Sequence, residues 1–134
     1  MGRLGRLPFG KGQITLEYIF LAALSLVLIS LSLTALLKIR EAGDKSYKIE
    51  LFRLSALDIY NMGEEACAMG SGNSFQMNAR ENVEIRMDGG QAVFSNPGLG
   101  VLIKKDSTCE FLSADIATNS TIRISNENGK IKSG

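Results

Sequence analysis

The 134-residue chain contains no histidine and no tryptophan. Without imidazole the commonest general base near neutral pH is missing, so histidine-dependent catalysis and most zinc chemistry are excluded. Basic residues are not gathered either. Lys104-Lys105 is the one adjacent basic pair, and no basic stripe with interleaved aromatics exists, so the footprint of a nucleic-acid binder is lacking. Asp106, Glu110 and Asp115 are neighbours in the chain, but their spacing fits no calcium loop and they read as a solvated face. The composition therefore leads us to expect neither enzyme nor cofactor nor metal. Cysteine is scarce too. Cys67 and Cys109 both follow the apolar segment described next, and in a small exported domain such a pair forms a disulfide or remains as two buried thiols.

The most conspicuous feature is an uncharged run of 20 residues, Tyr18 to Leu37, ended by Lys38-Ile39-Arg40-Glu41. At about 1.5 Å per helical residue this run just spans the roughly 30 Å hydrocarbon core of a bilayer. Residues 1–12 precede it with Arg3, Arg6 and Lys11, four glycines, a proline and no acid. That composition reads as a cationic targeting leader. Net charge is +1 overall, and 12 basic against 14 acidic residues, or −2, once the leader is set aside. A secretory signal ends a shorter apolar stretch at a small-x-small exit; here the run continues past that length without one, so the segment reads as retained. Glu17 stands at its edge. A carboxylate costs roughly 2.5–3.5 kcal/mol at the bilayer centre and less near the interface, so it either snorkels to headgroups or awaits a partner.

Beyond the run the pattern becomes amphipathic. Ile49, Phe52, Ala56 and Ile59 recur at helical spacing opposite Lys48, Glu50, Arg53 and Asp58, which predicts a helix to Met62 with Gly63 as its stop. Gly43-Asp44 is a place where that helix could kink or break. Residues 64–79 read as loop with at most one short strand. Then the period shortens to two: Val83, Ile85 and Met87 alternate with Glu84 and Arg86, and Asp88-Gly89-Gly90 returns the chain into 91–95. Asn96-Pro97-Gly98 turns it into the strand 101–103, and a final hairpin joins 121–125 to 130–132 around Asn126 to Gly129. The fold class expected is α+β, a long N-terminal hydrophobic helix with an amphipathic second half, packed against a small antiparallel sheet. The organisation expected is leader 1–12, apolar helix 13–38, amphipathic half 39–62 and β-rich head 63–134.

The order Lys11-Gly12, Gln13, Thr15, Glu17, Tyr18 and then an apolar helix resembles the archaeal type IV pilins with class III signal peptides. It is closest to the methanogen-type group with a Gln-x-Ser/Thr-x-Glu start; Thr15 stands where serine is frequent and keeps the hydroxyl. The resemblance covers about Lys11 to Leu37. It implies cleavage between Gly12 and Gln13 by a membrane-embedded prepilin peptidase reading a motif that includes Lys11, Thr15 and Glu17. It also implies a subunit-registering contact between the new amine of Gln13 and Glu17, and a pilin-like fold with a variable head. The partners implied are other copies of the chain, the assembly platform with its ATPase, and the membrane before assembly, with an extracellular filament as destination and adhesion as use. A count of basic residues does not by itself place the leader in the cytoplasm, because Lys38, Arg40, Lys45, Lys48 and Arg53 follow the run. Those later charges are mixed with Glu41, Asp44 and Glu50.

The function expected is thus a filament subunit, with a minor pilin or pseudopilin, or a single-pass anchor bearing a binding head, as alternatives. Small and hydroxylated residues in the run (Ala22, Ala23, Ser25, Ser30, Ser32, Thr34) suit close helix packing or ordinary membrane-helix composition equally. Asn119-Ser120-Thr121 is a glycosylation sequon on an expected surface loop.

Overall fold

In the computed structural model of the chain, residues 15–134 are described throughout, and the backbone of the first helix from Gly10. That helix, α1, spans Gly10–Met69. Eight strands follow: β1 (Ser74–Asn78), β2 (Val83–Asp88), β3 (Gln91–Asn96), β4 (Val101–Asp106), β5 (Glu110–Phe111), β6 (Ala114–Ile116), β7 (Thr121–Glu127) and β8 (Lys130–Ser133). The protein is α+β, with the long apolar helix first and a small β head after it, as the sequence predicts. The chain forms two compact units, Met1–Ala42 and Gly43–Gly134.

In the first unit, residues 15–42 are helical and none is buried. The run is rich in leucine, a strong helix former, and holds neither glycine nor proline. Its serines do not compete with the backbone: Ser25, Ser30 and Ser32 donate to the carbonyls of Leu21, Leu26 and Leu28 at 2.8–2.9 Å, and Thr34 to that of Leu31 at 2.8 Å. Each hydroxyl proton is thereby satisfied within the helix, as an apolar surrounding requires.

In the second unit, the helical residues 43–69 bury one face, made of Phe52, Ser55, Ala56, Ile59, Gly63 and Ala66. Against it lie two four-stranded sheets, ordered β1-β7-β8-β5 and β4-β3-β2-β6. The β2–β3 hairpin pairs Asp88 with Gln91 across Gly89 and Gly90, and β7–β8 pairs Glu127 with Lys130 across Asn128 and Gly129. All four turn residues have positive φ, the two-residue hairpin geometry that glycine and asparagine favour. Period-two burial brings Ile122, Ile124 and Ile131 of one sheet and Val83, Ile85 and Phe94 of the other into one cluster with Phe52 and Ile59. The rings of Tyr60, Phe94 and Phe111 meet at centroid distances of 6.0–6.5 Å.

Three expectations need correction. The helix does not stop at Gly63 but continues to Met69. Gly70 is the residue with left-handed φ, +84°, and its N–H returns to the Cys67 carbonyl at 3.2 Å, while Asn73 Nδ2 donates to Met69 O at 3.0 Å. Gly63 instead lies buried where a Cβ would overlap the Phe111 ring, so glycine is needed there for closeness, not for a turn. Second, α1 runs without interruption through Gly43 and Asp44. Third, the head holds two sheets rather than one, and they include a parallel pair, β5 with β8.

Candidate functional site

The residues marked by the sequence fall in three places. Lys11, Gly12 and Gln13 fall in the helical backbone at the start of α1, and only their side chains lie outside what is described. Thr15 and Glu17 sit on exposed turns of α1. Around and beyond Glu17 the surface is apolar on every side: the large side chains from Leu16 to Ile39 are between 48% and 73% exposed. By length and composition this helix can cross a membrane. Among the described residues no cation lies within ion-pair distance of Glu17, and the next basic residue along the chain is Lys38. Glu17 is therefore a single acceptor-only group at one end of a surface that cannot remain in water. Whatever covers that surface, lipid or protein, must solvate or neutralise it.

The second place is the head, where Cys67 and Cys109 are joined by a disulfide with Cα atoms 6.1 Å apart across a separation of 42 residues. It is the last of three ties from one face of α1 to the end of β4 and the loop that leads from it to β5. Tyr60 Oη donates to the Asp106 carbonyl at 2.7 Å. Glu64 accepts from Ser107 Oγ at 2.5 Å, from Thr108 Oγ1 at 2.6 Å and from the Thr108 amide at 3.2 Å. Tyr60, Glu64 and Cys67 are spaced four and three apart, so the helix presents them in line. Burial raises the Tyr60 phenol above its ordinary pKa, and the nearby carboxylates of Glu64 and Asp106 push it further the same way. At neutral pH it stays a donor. Sequence reasoning missed Glu64 because it ended the helix at Gly63, and left Tyr60, already inside the expected helix, without a role; continuing the helical spacing to Cys67 would have put the three in line.

The third place is the turn between β6 and β7. Asn119 is exposed there with φ +57°, and its amide donates to the Ala79 carbonyl at 2.8 Å. The sequon's Thr121 opens β7 and donates from Oγ1 to Asn78 Oδ1 at 2.7 Å. Asp106, Glu110 and Asp115 are exposed and lie on three different strands, and no group of acidic or thiol side chains among the described residues is arranged to hold a metal. The head thus offers a braced surface, while the apolar helix with its single carboxylate offers a surface that must be covered. Compared with known family models, curated proteins and solved structures, the chain matches none of them.

Proposed function

We propose that the chain is the precursor of a structural subunit of a type IV pilus-like surface filament. Its leader is removed by a prepilin peptidase after Gly12, and its apolar helix then exchanges lipid for the helices of other copies. The observation that carries this reading is the exposed apolar segment with Glu17 at its start. A plain anchor gains nothing from that carboxylate, whereas a polymer needs a charge whose partner appears only when assembly is licensed. Cleavage creates an amine at Gln13, four residues and about one helical turn before Glu17. An ion pair formed between neighbouring copies away from water fixes register more than it adds net stability.

The head is exported and faces solvent, where the Cys67–Cys109 bridge persists and the Asn119 sequon is open to glycosylation. The assembly platform and its ATPase extract the processed chain from the membrane, and the finished filament serves adhesion. The test is twofold. Intact-mass measurement of the surface form should find a mature N-terminus at Gln13, and any other start sinks the processing step. Glu17→Ala should be processed and inserted yet fail to enter filaments. If it enters at the wild-type level, the registration role is wrong and the single-pass anchor becomes the better reading.

A further inference from the structure

We infer that the outer face of the β1-β7-β8-β5 sheet in one copy of the chain docks against the outer face of the β4-β3-β2-β6 sheet in the next copy, with Arg123 pairing with Asp115 across the contact. The inference rests on the filament reading above and gives the heads a contact of their own. Strand register decides which charges share a surface. In the β4-β3-β2-β6 sheet, Asp88, Gln91 and Asp106 form one row, and Glu84 stands opposite Asp115. Residues two apart on a strand lie on the same face, here the one turned away from Ile85 and Phe94. That face carries four acids, Glu84, Asp88, Asp106 and Asp115, against Arg86 and Lys104. Lys104 meets Asp88 at 3.1 Å, Arg86 meets Glu84 at 3.4 Å, and Gln91 Nε2 donates to Asp106 at 2.7 Å. Asp115 is left over. Among the described residues no ion pair or hydrogen bond reaches its carboxylate, which is exposed directly opposite Glu84. Like charges so placed on neighbouring strands repel, and a cation from outside relieves them.

The outer face of the other sheet has the opposite balance. Lys130 meets Glu110 at 3.1 Å and Lys132 meets Glu127 at 3.8 Å. Arg123 is the third cation there, exposed, and its guanidinium has no ion pair or hydrogen bond among the described residues. Its backbone is fixed on both sides, paired with Gln76 of β1 and exchanging hydrogen bonds of 2.7 and 3.1 Å with Gly134. Gln76, Thr121 and Ser125 around it are uncharged, so nothing nearby competes for it.

Each face thus satisfies its own charges except one, and the two exceptions are opposite in sign. They lie on different sheets, so a copy presents Arg123 to one neighbour and Asp115 to another. A contact between two different patches is heterologous, and repeated it extends a filament where the rotation does not close a ring. The guanidinium is suited to the place: its planar fork takes a carboxylate with two hydrogen bonds. Beside Asp115 an open cleft of about 440 Å³, bounded by Asn96, Pro97 and Ile116, leaves room for the methylene stem of an arginine.

The test uses the full chain in the cells that make it, with the subunit measured in sheared filaments and in the membrane pool. Arg123→Asp and Asp115→Arg, each alone, should lower the filament fraction about tenfold, because like charges then meet across the contact. Combining both substitutions in one chain, or co-expressing the two single variants, should restore assembly to within about twofold of wild type, since each arrangement pairs opposite charges at every heterologous contact. Neither substitution should lower the denaturant midpoint of the head in micelles, because neither side chain has a partner within it. Should a reversal disturb folding, Arg123→Gln and Asp115→Asn carry the test, each lowering assembly about threefold. Single variants that assemble at the wild-type level overturn the contact, and so do defective reversals that neither combination rescues. Wild-type filaments that exclude Glu17→Ala yet accept both reversals overturn the head contact and leave the filament reading intact. A wild-type chain absent from sheared filaments overturns both.

Discussion

Residues 15–42 and 43–69 of α1 share one secondary structure and have opposite relations to the rest of the chain. In the first stretch no side chain is buried, apolar residues occupy every direction, and the hydroxyls of Ser25, Ser30, Ser32 and Thr34 close onto their own helix. In the second, Phe52, Ile59 and Ala66 are sealed on one face while Glu50 and Arg53 pair at 3.7 Å on the exposed side. The helical backbone forms in both, so helix propensity is not what separates them. The difference is where the free energy of burial comes from. The second stretch obtains it from the head, within the same chain; the first must obtain it from outside the chain, because leucine and phenylalanine exposed all around a helix are not stable in water. The same helix thus belongs in part to a self-sufficient fold and in part to a surface that its own chain leaves uncovered.

The contrast is open to direct attack, and the largest effects are expected in the head. Phe94→Ala removes a ring packed against Tyr60 and Phe111 and should destabilise the head by about 3–5 kcal/mol in denaturant unfolding of the full chain in micelles. Breaking the bridge with Cys67→Ser and Cys109→Ser together should lose roughly 3–4 kcal/mol, because a closed loop of some 40 residues no longer restricts the unfolded chain. Leu28→Lys should behave in the reverse sense. It should leave head unfolding unchanged and lower membrane insertion by roughly 2.5–3.5 kcal/mol for a charge at mid-helix. A matching loss of head stability in Leu28→Lys would show that the two regions are energetically one body, and the comparison would collapse. Gly63→Val sharpens the boundary on the head side: the added branch meets the Phe111 ring, and overpacking of this kind costs about 1–3 kcal/mol.

Gly63 also shows what the sequence could and could not disclose. The apolar run, its flanking charges and the two hairpins were legible because each rests on local chemistry: side-chain transfer, and Gly-Gly or Asn-Gly at positive φ. The end of α1 was not, because glycine has two distinct uses. At Gly70 it adopts a left-handed conformation that ends the helix; at Gly63 it makes room for a ring supplied 48 residues later by Phe111, information absent from the local pattern. The division into two sheets was illegible for the same reason, since it depends on β7 pairing with β1 across the whole of the other sheet. Of the candidate site, the cysteine pair and Glu17 were visible as residue types, whereas the alignment of Tyr60 and Glu64 with Cys67 could be seen only once the helix was extended past Gly63.

The smallest effect tests that tie. Tyr60→Phe keeps the ring contacts and removes the bond to the Asp106 carbonyl, so it should lower head stability near neutral pH by about 0.5–1.5 kcal/mol. Its pH dependence gives the sharper reading. Burial first, then the Glu64 and Asp106 carboxylates, hold the phenol pKa in the fold above the ordinary value of 10.0 that the unfolded chain keeps. The folded state therefore holds the proton more tightly, so this stabilisation is complete below pH 10 and declines as pH rises from there through the folded pKa. Unfolding measured from pH 8 to pH 11 should show the wild type losing its advantage over Tyr60→Phe at the alkaline end, with the two curves converging. Parallel curves over that range would mean that the phenol titrates alike in both states, and that the loop is held by Glu64 and the disulfide without its help.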